Sequence, residues 1–125
     1  MAFQNFYEMD VYIKCRTFRK NVSTIVNNHF PTHEKYLLTS QILDASRSIT
    51  ANISEGHGRF HYQENIQFCR VARGSLSETL EHLITAFDEN YITKETLEKM
   101  KALYDKCLKS LNSYIAYLKR KKDGK

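Results

Sequence analysis

Three observations predict an all-α chain folded as an antiparallel, up-down four-helix bundle. Apolar residues recur at helical spacing in four long segments. The connections between those segments are short, which makes antiparallel neighbours the simplest topology. The 125 residues hold one proline and four glycines, too few chain breakers for a turn-rich β-sandwich. At 42% hydrophobic and 26% charged, the chain is also too apolar to be disordered. Residues 1–118 are expected to form the bundle and residues 119–125 a basic tail.

The first helix is expected over residues 8–28, with Val11, Cys15, Phe18, Val22, Ile25 and His29 in one inward stripe and Pro31 ending it. Thr32 is expected to cap the second helix, with Glu34 in its first turn, where the positive end of the helix dipole favours an acid. That helix is expected to reach Glu55 and stop at Gly56 in a left-handed conformation. Its inner face reads Leu38, Gln41, Ile42, Ala45, Ser48, Ile49, Asn52 and Ile53. The amides and hydroxyl in that stripe imply either a less clean face or a buried polar network.

Gly58 lies in the next turn. The third helix is expected from Tyr62 to about Phe87, with Ile66, Cys69, Ala72, Leu76, Leu80, Leu83 and Phe87 inward. Gly74 near its middle costs about 1 kcal/mol relative to alanine, which suggests close approach of another helix, at Ala45 and Ser48. After a connection at residues 88–92, Thr93 is expected to cap the fourth helix. Its seam of Leu97, Met100, Tyr104, Cys107, Leu111, Tyr114 and Leu118 alternates steps of three and four without a break.

Charge and cysteine usage narrow the setting. The formal net charge is +5, and the tail from Lys119 carries nearly all of that excess. Such a tail is either a solvated feature or a binding arm. No apolar run approaches the roughly 20 residues of a membrane span, and Met1, Ala2 and Phe3 do not begin a signal peptide. Cys15, Cys69 and Cys107 sit in apolar stripes and are expected to be reduced core thiols. A cytoplasmic protein without membrane partners is expected.

No enzymatic signature is present: no glycine-rich phosphate loop, no H-E-x-x-H, no G-x-S-x-G. Glu78 and His82 are one turn apart but supply too few ligands for a metal site. The histidine pairs His57/His61 and His29/His33 flank turns and are expected to be solvated. No cofactor, metal or catalytic residue is therefore expected. Arg47, Arg59, Arg70 and Arg73 offer a candidate phosphate-binding stripe, joined by Lys119, Arg120, Lys121 and Lys122, with Phe60 and Tyr62 as stacking surfaces. The alternative is that the arginines pair with Glu55, Glu64, Glu78 or Asp44 and the aromatics are core.

The run from Phe30 through Ile42, the S-I-x-x-N-I-x-E-G run from Ser48 to Gly56 with Gly58-Arg59 after it, and Phe68 through Glu78 containing A-x-G-S-L-x-E carry a resemblance. Together they are similar to the bacterial 23S rRNA intervening-sequence protein family, also called the four-helix bundle protein family. The resemblance implies an antiparallel bundle assembled as a homo-oligomer, typically a pentamer, with no catalytic activity. Related bundles serve as accessory proteins that engage nucleic acid and a reverse transcriptase. Members commonly carry two arginines where this chain has Leu43 and Asp44, so phosphate binding would rest on Arg47 and its neighbours. The signature residues Gln41, Asn52, Glu55 and Ser75 are expected either to form the buried polar network or to touch a ligand. The resulting expectation is a homo-oligomer binding structured RNA or DNA; the alternative is a scaffold for a protein partner, such as a reverse transcriptase, without nucleic acid.

Overall fold

The computed structural model describes residues 4–124, so Met1, Ala2 and Phe3 and the tail's Lys125 lie outside the described residues. Four helices carry the fold: α1 (Asp10–His29), α2 (Leu38–Gly58), α3 (Tyr62–Asp88) and α4 (Lys94–Lys122), with short 3-10 turns at Phe6–Glu8 and Thr32–Glu34. There is no strand among the described residues. Each helix packs on its chain neighbours, and α1 closes the ring against α4. The hydrogen bonds give the direction. Asn65 bonds Tyr114, Arg73 bonds Asn112 and Ser77 bonds Tyr104, so positions fall on α4 as they rise on α3. The two helices are antiparallel.

The stripes of the sequence form the core. Cys15, Phe18, Val22, Ile42, Ile49, Ile53, Leu76, Leu83 and Leu111 are all inaccessible to solvent. Tyr104, Tyr114, Leu80 and Phe87 are only half-buried around it. His29 is exposed: the buried stripe of α1 ends at Ile25 and Val26. The three cysteines are free and buried.

Helix ends depart from expectation in physically readable ways. Thr93 caps α4 as expected, its hydroxyl accepting from the Thr96 N–H at 3.1 Å. Thr32 does not cap α2. It opens a 3-10 turn, and α2 starts at Leu38, whose N–H donates to Glu34 Oε1 at 3.2 Å. Glu34 stays in place because the Tyr91 hydroxyl donates to its other oxygen at 2.7 Å. The end of α3 is a Schellman closure: Asn90, at φ 66°, donates its N–H to the Phe87 carbonyl, and Tyr91 donates to Ala86.

The glycines correct two expectations. Gly56 is no helix stop, since α2 continues to Gly58. It is buried against α3, where a β-carbon would stand 2.7 Å from Asn65 Oδ1 and 2.9 Å from Phe68 Cβ. Gly74 faces open space, as does Gly58, so neither marks a close helix approach.

Candidate nucleic-acid interface

A polar seam does link α2 and α3, built from some but not all of the residues the sequence pointed to. Ser48 Oγ lies 2.9 Å from Ser75 Oγ, and Asn52 Nδ2 donates to both the Ser48 carbonyl and its hydroxyl. Thr79 closes back on the Ser75 carbonyl. Asn52, Ser75 and Ser48 of the expected residues therefore belong to the network, and Thr79 is the member the sequence did not point to. Gln41 and Glu55 are exposed and stand outside it; Glu55 instead meets Arg59 at 3.6 Å.

The four arginines do not form one stripe. Arg59 sits between Glu55 and Glu64, with its guanidinium 5.1 Å from the centre of the Phe68 ring. Arg73 donates to Asn112 of α4 at 2.8 Å. Arg70, one turn earlier on α3, is exposed. Arg47 lies one turn before Thr50, which accepts from Arg19 of α1 at 2.8 Å, so it belongs to the α1 side of α2. The bundle thus separates Arg47 from Arg70 and Arg73.

One end of the bundle does gather charge and aromatic surface. The turn between α2 and α3 presents Phe60, 81% exposed and held at φ 58°, a left-handed conformation uncommon for a bulky side chain. Tyr62 follows it, also exposed. Both aromatics lie outside the core. Antiparallel packing brings the C-terminal end of α4 to the same place. Lys119, Arg120, Lys121 and Lys122 form its last turn, where cations complement the helix dipole. The expected tail is therefore helical through Lys122. Lys122 reaches Gln63 at 2.9 Å, and the Lys121 ammonium stands 5.8 Å from the centre of the Tyr117 ring.

Between this end of α4 and the start of α1 lies a groove of about 530 Å³. Phe60, Tyr62, Tyr114 and Tyr117 give it aromatic walls, and Asp10, Asn65 and Ser110 give it polar groups. The Tyr114 and Tyr117 rings are near-parallel, 13° apart in plane and 6.2 Å between centres. Asn65 donates to the Tyr114 hydroxyl at 3.0 Å. Ser110 donates to Asp10 Oδ2 at 2.9 Å, and Lys14 meets the same oxygen at 2.7 Å. The Lys14 hydrogen bond first, then that of Ser110, holds the Asp10 carboxyl below the usual carboxylate range. Apart from Phe60 and Tyr62, these groove residues are absent from the sequence-derived site. Tyr114 and Tyr117 are one turn apart, a legible signal, but the sequence does not say that α1 lies beside them.

The histidines and thiols have local roles. His82 meets Glu78 at 3.2 Å, the i,i+4 pairing expected. His57 bonds the Gln4 carbonyl, and His33 lies 3.3 Å from the Tyr91 hydroxyl, so neither is simply solvated. Burial pushes the Cys69 thiol up to about 12. No cluster of three potential metal ligands occurs among the described residues. Among the described residues, no helix is long and apolar enough to cross a membrane.

Fold and surface together define a small helical bundle with a basic, aromatic end. The chain belongs to the 23S rRNA-intervening sequence protein family, whose model matches residues 7–113. It is similar to a solved protein of unknown function from the S23 ribosomal protein family of Bacteroides thetaiotaomicron. The two share 26% identity over 84% of this chain and 97% of the other, with a TM-score of 0.73. No curated protein matches.

Proposed function

We propose that this chain is a non-catalytic, homo-oligomeric bundle of the cytoplasm that binds nucleic acid, structured RNA foremost, through its basic and aromatic end. One observation carries the reading: exposed Phe60 and Tyr62 stand beside Arg59 and the Lys119, Arg120, Lys121 and Lys122 turn. Cations for phosphate and π-faces for unpaired bases are the two components of sequence-tolerant binding. Arg47, Arg70 and Arg73 are secondary phosphate-binding positions on other faces.

A scaffold for a protein partner is the second reading. Tyr36 and Leu37, 82% and 60% exposed, are adjacent in the α1–α2 connection, at the other end of α2 from Phe60 and Tyr62. Such apolar exposure suits docking of a protein. Fluorescence anisotropy of labelled structured RNA, single-stranded DNA and duplex DNA at several salt concentrations separates the readings. Binding that weakens steeply with salt supports nucleic acid; no binding at low salt leaves the scaffold. Light scattering tests the assembly, with a pentamer expected and a monomer contradicting it.

A further inference from the structure

The groove beside α4 continues beyond its aromatic part. Past Asp10, Ser110 and Ser113, which line both sections, it becomes a trough bordered by Lys14, Lys106 and Lys109. Lys106 and Lys109 are exposed and one turn apart on α4, while Lys14 faces them from α1. The aromatic section, at about 530 Å³, has the size of a small-ligand site. An aromatic pocket opening directly onto a lysine-lined trough matches the two halves of a nucleotide: a π-face for the base and cations for the phosphates. A base stacked within a duplex cannot enter such a pocket; an unpaired one can.

Asp10 stands at the junction and sets the chemistry. Its Oδ2 is taken by Lys14 and Ser110, and its Oδ1 has no hydrogen bond among the described residues. A free carboxylate oxygen accepts from an exocyclic amino group, which adenine, cytosine and guanine carry and uracil lacks. It repels phosphate, which places the backbone on the lysine side. The Asp10 carboxylate and Ser113 hydroxyl, between base and phosphate positions, also suit a ribose 2′-hydroxyl. Phe60, projecting at φ 58° from the mouth of the groove, adds an outer stacking face.

We propose that this groove receives one unpaired, amino-bearing base of a single-stranded RNA, with the flanking phosphates on Lys106 and Lys109. The assignment rests on the nucleic-acid reading above and names the substrate class for that end of the bundle.

The test is anisotropy of the full chain with labelled oligoadenylate, oligouridylate, oligodeoxyadenylate and a blunt RNA duplex. Oligoadenylate is expected to bind tightest of the four. Tyr117→Ala, at an exposed position, is expected to weaken it by about tenfold, the effect of removing one stacking face. Lys106→Glu combined with Lys109→Glu is expected to weaken it and flatten its salt dependence, and Asp10→Ala to erase the preference for adenine over uracil. Circular dichroism checks that each variant keeps its helices. If the wild-type chain binds RNA while these variants bind equally well, the groove assignment fails and the general reading stands. If no nucleic acid binds at all, both fail. If Tyr117→Ala changes the oligomer mass and leaves RNA affinity intact, the groove is an interface between chains and the proposal is overturned.

Discussion

Gly56 and Gly74 are both helical glycines, yet their surroundings give them opposite sensitivities. Adding a β-carbon at Gly56 drives it into Asn65 Oδ1 at 2.7 Å, Phe68 Cβ at 2.9 Å and the Asn65 Cα at 3.2 Å. Two of those atoms belong to or adjoin the α3 backbone and cannot swing aside, so Gly56→Ala is expected to destabilise by about 1–3 kcal/mol. Gly74→Ala meets open space and is expected to stabilise by about 1 kcal/mol through helix propensity alone. Urea denaturation of the two variants checks the pair of signs. Phe60→Gly is expected to raise stability by at most about 1 kcal/mol, relief of the left-handed strain being partly offset by the greater chain entropy of glycine, while weakening RNA binding by removing a stacking face. The glycines stand out in the sequence, but their reasons do not. A glycine needed for a close approach and a glycine in open space look identical in one dimension.

Among the elements, α4 is the most legible. Its cap at Thr93 and most of its seam follow from local spacing and are present, with Tyr104 and Tyr114 at the margin and Ile115 buried beside Tyr114. The start of α2 falls later than Thr32 would place it because its capping group, Glu34, is fixed by Tyr91, distant in sequence. That hydrogen bond joins the α1–α2 connection to the α3–α4 connection and makes their docking pH-sensitive. The Tyr91 hydrogen bond, with a smaller contribution from the Leu38 N–H, lowers the Glu34 pKa. The reciprocal effect raises Tyr91 to about 12. A depressed acid contributes stability that is complete above its ordinary value of about 4.3 and is lost as pH falls through the folded value. A raised phenol contributes stability complete below about 10, lost as pH rises through the folded value. Tyr91→Phe is therefore expected to lower the urea midpoint near neutrality and to flatten both its acid and its alkaline decline.

At the scale of the molecule, the bundle is readable because four periodic stripes and three short connections leave few ways to pack. The interface is only partly readable. Lys119 to Lys122 and Arg59 stand out as charge, and Phe60 and Tyr62 as aromatics beside it. Their convergence, and the placing of Arg47 apart from Arg70 and Arg73, depend on which helix faces meet. So does the α1–α4 groove, built from residues about one hundred positions apart, as the Ser110–Asp10 hydrogen bond shows. The same packing turns a sequence-terminal charge run into the last turn of a helix, where it stands beside the start of α3 rather than trailing into solvent.

The central claim is that this end of the bundle binds nucleic acid by neutralising phosphates. The most direct test is the salt dependence of RNA affinity for the wild-type chain beside a variant with Lys119, Arg120, Lys121 and Lys122 all changed to Gln. The account predicts a straight, steep fall of log affinity with log salt for the wild type. The variant should show a shallower slope, by about 0.7 for each single-strand phosphate it no longer neutralises. Equal slopes for the two proteins, or affinity indifferent to salt, would contradict it.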